Sequence, residues 1–86
     1  MTMSCIHIDR VLKLAEAEGN TVLGTSKSEL MDKVIWMNNQ LSCTLRSRIQ
    51  LEFKGLLYQK NDAKPHDSAS EYFVCNECKV ALVFPV

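Results

Sequence analysis

The chain is short of punctuation. It holds three glycines and two prolines, and none falls between residues 25 and 54. No strong breaker interrupts that stretch. Charge of one sign is also missing, because ten basic side chains meet ten acidic ones. A formal charge of zero argues against coating nucleic acid or anionic membrane by bulk electrostatics. It also leaves little repulsion to oppose self-association. No apolar run approaches the ~18–20 residues that a membrane helix needs. The opening residues, MTMSCIHIDR, lack the basic region and apolar core of a signal peptide. These absences predict a cytoplasmic chain, in which four cysteines act as thiols or ligands and not as disulfide staples.

Catalytic equipment is scarce too. There are two histidines, no glycine-framed serine and no spaced acid pair in a recognisable setting. Neither a triad nor a general acid–base site can be drawn. The expectation is a protein that is not an enzyme.

What the chain does have is apolar residues, at 47%. That is enough for a modest core in one 86-residue domain. Residues 4–18 predict a first helix. Ile8, Val11, Leu12 and Ala15 line its apolar face, Ser4 is the candidate cap and Gly19-Asn20 the stop. Residues 19–26, GNTVLGTS, predict a linker that reverses the chain.

The stretch from Ser26 to Tyr58 carries most of the core candidates and two competing periodicities. Leu30, Val34, Met37, Leu41, Leu45, Ile49, Phe53 and Leu56 follow at steps of three or four, the stripe of an amphipathic helix. Ser26 with Glu29 fits a capping box. From Leu41 to Lys54, however, apolar and polar residues also alternate, as in a half-buried strand. Cys43 and Leu51 decide between the two, because a strand buries them and a helix leaves them off the stripe. The spacing therefore predicts one long helix over 27–58, or a helix over 27–39 that breaks near Asn39 into a strand over 41–58. Residues 60–70, KNDAKPHDSAS, predict a polar loop, and residues 71–84 a β-hairpin turning at Asn76-Glu77. The fold class expected is α+β, with a short helix, a long amphipathic helix and a C-terminal hairpin closing the core.

Two constellations bear on function. The run Val34-Ile35-Trp36-Met37 is wider than one helix face requires. Ile35, Trp36 and Met37 are thus candidates for an interface, where aromatic residues and methionine are enriched. Arg46 and Arg48 sit in a locally basic region and could meet phosphate. The second constellation is Cys75-Asn-Glu-Cys78, which has the spacing of half a zinc knuckle. Cys5, His7, Cys43 and His66 are the candidates to complete a tetrahedral site. A second CxxC is absent.

The leading expectation is a small protein-binding regulator or inhibitor that meets another protein, or itself as a homodimer, through an apolar helix surface. The alternative is a zinc-knuckle-like, nucleic-acid-associated module that uses Arg46 and Arg48. A dithiol redox protein comes third, because the residues after Cys78 read as a strand and not as the activating helix.

Overall fold

A computed structural model describes residues 5–61 and 70–86. The elements run α1 (Ile6–Ala17), β1 (Val22–Ser26), β2 (Lys33–Met37), α2 (Cys43–Glu52), β3 (Leu57–Asn61), β4 (Ser70–Cys75) and β5 (Val80–Pro85). The strands form one sheet in the order β1-β2-β5-β4-β3. Neighbours pair antiparallel except β2 and β5, which run parallel. The expected polar loop and His66 fall mostly or wholly outside the described residues, as does Ser4.

The first helix forms where its pattern places it. Ile8, Val11 and Ala15 are buried at helical spacing. Its end is closed by a Schellman pair, with Asn20 N–H donating to Ala15 O and Gly19 N–H to Glu16 O. Gly19 takes φ 90°, which only glycine adopts at little cost.

The layout of helix, long helix and hairpin is overturned. Residues 27–32 form a loop, β2 occupies 33–37, and the 41–58 strand is instead mostly α2. The chain does break at Asn38-Asn39, with the two states exchanged on either side of it. Before the break, Val34, Ile35 and Trp36 are β-branched or aromatic and suit a pleated surface. The apparent helical stripe drew its members from a loop, a strand, the shorter helix α2 and the segments between them, and Leu30 is 80% exposed. After the break, Leu45 and Ile49 are buried one helical turn apart, while Cys43 and Leu51 are exposed. The true cap is Ser42, whose hydroxyl accepts from Leu45 N–H. Ser26 closes β1 instead of capping a helix. The supposed linker 19–26 contains that strand, which the period-two signal missed because all five of its residues are exposed.

The C-terminal strands do pair antiparallel, but not as a separate hairpin. β5 is the centre of the sheet, held on one side by β2 and on the other by β4. Val80 to Phe84 are all buried, on one face under the helices and on the other among the side chains of Met31, Tyr72 and Val74. Both helices pack on one face. Their residues Ile8, Val11, Leu45 and Ile49 join Ile35, Met37, Phe73, Leu82 and Phe84 in the main core. Phe73 and Phe84 meet edge to face, with ring centroids 6.2 Å apart. The opposite face carries a smaller cluster, Val34, Ala81 and Val83 with Met31, Tyr72 and Val74 against it. No helix described covers that face.

Polar contacts tie the connections together. Asn20, only 5% exposed, donates through its side chain to Asn39 O and accepts from Asn39 N–H. Ser42 donates from its hydroxyl to Glu18, at the end of α1. The chain thus leaves α1 and enters α2 at one shared clamp. No helix among the described residues is long and apolar enough to cross a membrane.

Candidate metal centre

Helix α1 packs against β4 and β5, and this brings its N-terminus to the β4–β5 turn. Cys5 is the N-cap residue of α1, with an extended backbone. His7 follows in the first turn. Cys75 ends β4, and Cys78 lies in the turn that follows. Lys79 takes φ 58°, a left-handed conformation. That bend returns the chain, with Lys79 N–H donating to Cys75 O, and lets both turn sulfurs face α1. The turn is anchored from outside as well, because Asp32 N–H and Lys33 N–H donate to Lys79 O at the start of β2.

One ligand atom from each of Cys5, His7, Cys75 and Cys78 lies within 4.8 Å of all the others. His7 presents Nδ1, at 3.9 Å from Cys5 Sγ and 3.7 Å from Cys75 Sγ. A tetrahedral zinc with ordinary bond lengths sets S···N at about 3.6 Å and S···S at about 3.8 Å. The histidine distances already fit, and the longest separation must close by no more than about 1 Å to meet that geometry. Cys5 and Cys75 are buried, while His7 and Cys78 are partly exposed. The donor set, three sulfurs and one imidazole nitrogen, suits a thiophilic ion in a closed, structural site.

The electrostatics favour a cation. Burial pushes the Cys5 thiol up, but the backbone N–H of Ile8 at the helix start, the Cys78 and Cys75 thiols and the His7 backbone outweigh it. They hold Cys5 below the ordinary thiol value. Cys78 is pushed up to about 12, first by its hydrogen bond to Cys5, then by desolvation and by Cys75. Sulfurs this close resist becoming thiolates together, and a divalent ion reverses that preference.

Of the proposed completing ligands, the structure brings Cys5 and His7 to the pair. Cys43 is exposed at the start of α2 and is not part of the cluster. His66 lies outside the described residues. For redox chemistry, Cys75 and Cys78 sit between two strands, and the thiol at a helix N-terminus is Cys5.

The interface candidates divide. Ile35 and Met37 are buried in the main core, whereas Trp36 is 46% exposed. All three lie on a strand, so the apolar surface around Trp36 belongs to a sheet and not to a helix. The Trp36 indole N–H donates to Ser26 Oγ. Arg46 and Arg48 are both taken up by carboxylates. Arg48 Nε lies 2.6 Å from Glu52 on the exposed face of α2. Arg46 Nε lies 3.0 Å from Glu71 Oε2, but its N–H is not aimed along that line, so the contact is a charge pair more than a hydrogen bond.

Glu71 escaped the sequence reading. It is 1% exposed, on the helix-facing side of β4, and also accepts from the Tyr58 hydroxyl at 2.9 Å. Only its place in the alternation Glu71, Phe73, Cys75 could have betrayed it. Four residue steps along the strand separate it from Cys75, roughly 13 Å. The Arg46 pair and the metal cluster are therefore separate features.

No known protein family, curated protein or solved structure matches this chain.

Proposed function

We propose that this chain is a small, non-enzymatic protein-binding module whose fold is locked by one structural zinc ion. The ion is held by Cys5, His7, Cys75 and Cys78. The observation that carries the reading is the meeting of four soft ligand atoms within 4.8 Å, drawn from both ends of the described chain. A site with four protein ligands leaves no position for a substrate, so its work is structural. It joins the start of α1 to the centre of the sheet, where an 86-residue core gains most from a staple. The binding surface is the helix-free face of the sheet around Trp36. A reducing, cytoplasmic setting suits four free cysteines.

Native mass spectrometry of protein purified without tags or chelators tests this. One zinc per chain is expected, lost with a marked fall in stability when Cys78 is replaced by serine. A chain that purifies without metal and takes up no zinc when it is added would overturn the reading. The nucleic-acid alternative draws no support from Arg46 or Arg48, each of which is paired with a carboxylate.

A further inference from the structure

Among the described residues, none that lines the troughs of the helix-free face is charged. Two shallow troughs run across this face and meet at Val83. One is walled by Leu30 and Met31 on one side and Leu57 on the other, over Tyr72, Val74 and Val83. The other runs beside Trp36, Leu23 and Pro85. Neither is lined by a single Asp, Glu, Lys or Arg. By contrast, the groove between the helices is lined by Arg10, Lys13, Arg48 and Glu52. Charged residues make up 23% of the chain, so the uncharged lining is a selective feature of these troughs.

That property restricts the partner. Any surface that brought charges here would bury them unpaired, at a cost no side chain on this face could offset. The partner must present an apolar, uncharged face of its own. The chain itself has such a face, and its formal charge of zero opposes self-association no further.

Register makes the face self-complementary. Trp36 pairs with Val83, and Val83 with Tyr72. The three form one row across β2, β5 and β4, with Trp36 and Tyr72 about 10 Å apart on either side of Val83. A two-fold axis lying in the interface along β5 carries each Trp36 over Tyr72 of the other copy. Both projecting rings are then seated at once, as an isologous contact requires. Two sheets facing each other in this way pack as an aligned sandwich.

We propose that this face is closed by a second copy of the chain, in a two-fold dimer centred on Val83 with Trp36 stacked against the partner's Tyr72. The proposal rests on the reading of this face as the binding surface.

Sedimentation equilibrium on the zinc-loaded full chain tests it, with zinc per chain measured on the same samples. The wild type is expected to be dimeric at about 100 µM, a modest demand on affinity. Trp36→Arg and Tyr72→Arg should each weaken the dimer by about thirtyfold or more, with one zinc per chain retained. Trp36→Lys combined with Tyr72→Glu places opposite charges across the axis, and should dimerise better than either alone. A wild type that stays monomeric overturns the proposal, as does a dimer indifferent to both arginine substitutions. In the monomeric case, an apolar dye separates the two failures. Dye bound by the wild type but not by Trp36→Arg leaves the face as a surface for another protein, and no dye bound removes that reading too.

Discussion

His7 Nδ1 stands 3.7 Å from Sγ of Cys75, across a separation of 68 positions in the chain. No turn or helix repeat brings these atoms together. Their meeting is a product of the whole fold, with α1 laid over β4 and β5.

Removing a ligand should therefore loosen the fold and the site together. Cys75→Ser is expected to lower zinc affinity by more than about a hundredfold, beyond what loss of a mere supporting contact costs. Cys43→Ser, on the exposed start of α2, should stay within about 0.5 kcal/mol of the wild type and keep its zinc. Competition with a chromogenic chelator, alongside urea unfolding, reads both. Equal zinc loss in the two variants would discard this ligand set.

Acid and alkali should act on different states of the protein. Zinc requires deprotonated thiols and neutral imidazole, so uptake releases protons and affinity falls as pH falls. In the metal-free chain the Cys78 thiol is held up at about 12. Its contribution to stability is present below the ordinary thiol value and is lost as pH climbs from there towards about 12. Cys5, held low, works the other way, contributing above its ordinary value and losing that contribution as pH falls. Urea midpoints of the metal-free protein should thus decline through the alkaline range, while those of the zinc-loaded protein stay level there. Identical alkaline profiles would contradict this account.

Lys79 is the described non-glycine residue with positive φ. Lys79→Gly relieves a left-handed lysine and should stabilise the protein by up to about 1 kcal/mol. That corresponds to a rise in Tm of about 4–8 °C for a domain of this size. Zinc content should be unchanged. A loss of stability would mean that the Lys79 side chain contributes something its backbone does not explain.

The buried carboxylate offers a test away from the metal. Arg46→Ala leaves Glu71 at 1% exposure with the Tyr58 hydroxyl but without its cation. Arg46 is itself about a third exposed, so the cost is expected at about 2–3 kcal/mol, short of that for a fully buried pair. Glu71→Gln removes the charge and keeps the shape, and should cost less. Chemical unfolding of the two variants decides the order, and a larger loss for Glu71→Gln would reverse the argument.

How far the sequence could be read depended on the kind of signal. Cys75 and Cys78 were legible because two thiols at that spacing carry chemistry whatever the fold. Cys5 and His7 could be named as ligand types, but only the packing of α1 selects them over Cys43. The first helix was legible because its spacing is unambiguous and Gly19 ends it. The centre was not. Leu41, Leu45 and Ile49 fit a period of two and a period of four alike, so only the exposure of Cys43 and Leu51 separates helix from strand. β1 gave no alternation to read, since no face of it is buried. Trp36 was recognised as excess apolar surface, but the element that carries it was mistaken, because β-branched neighbours in so short a run speak only weakly against a helix.

The position of β5 has a kinetic consequence. It is the latest strand in chain order and the middle of the sheet. Lys33 finds its parallel partner only in Val80. As the chain leaves the ribosome, β1 and β2 can pair with each other, but one long side of β2 waits, and β3 and β4 wait with it. Such non-local closure slows folding relative to a helical bundle of equal length. A nascent chain stalled before residue 80 would carry two unfinished half-sheets, each with an open edge ready to pair with a neighbour. The residues that complete the sheet directly follow Cys75 and Cys78, so tertiary closure and completion of the four-ligand cluster fall at nearly the same moment of synthesis.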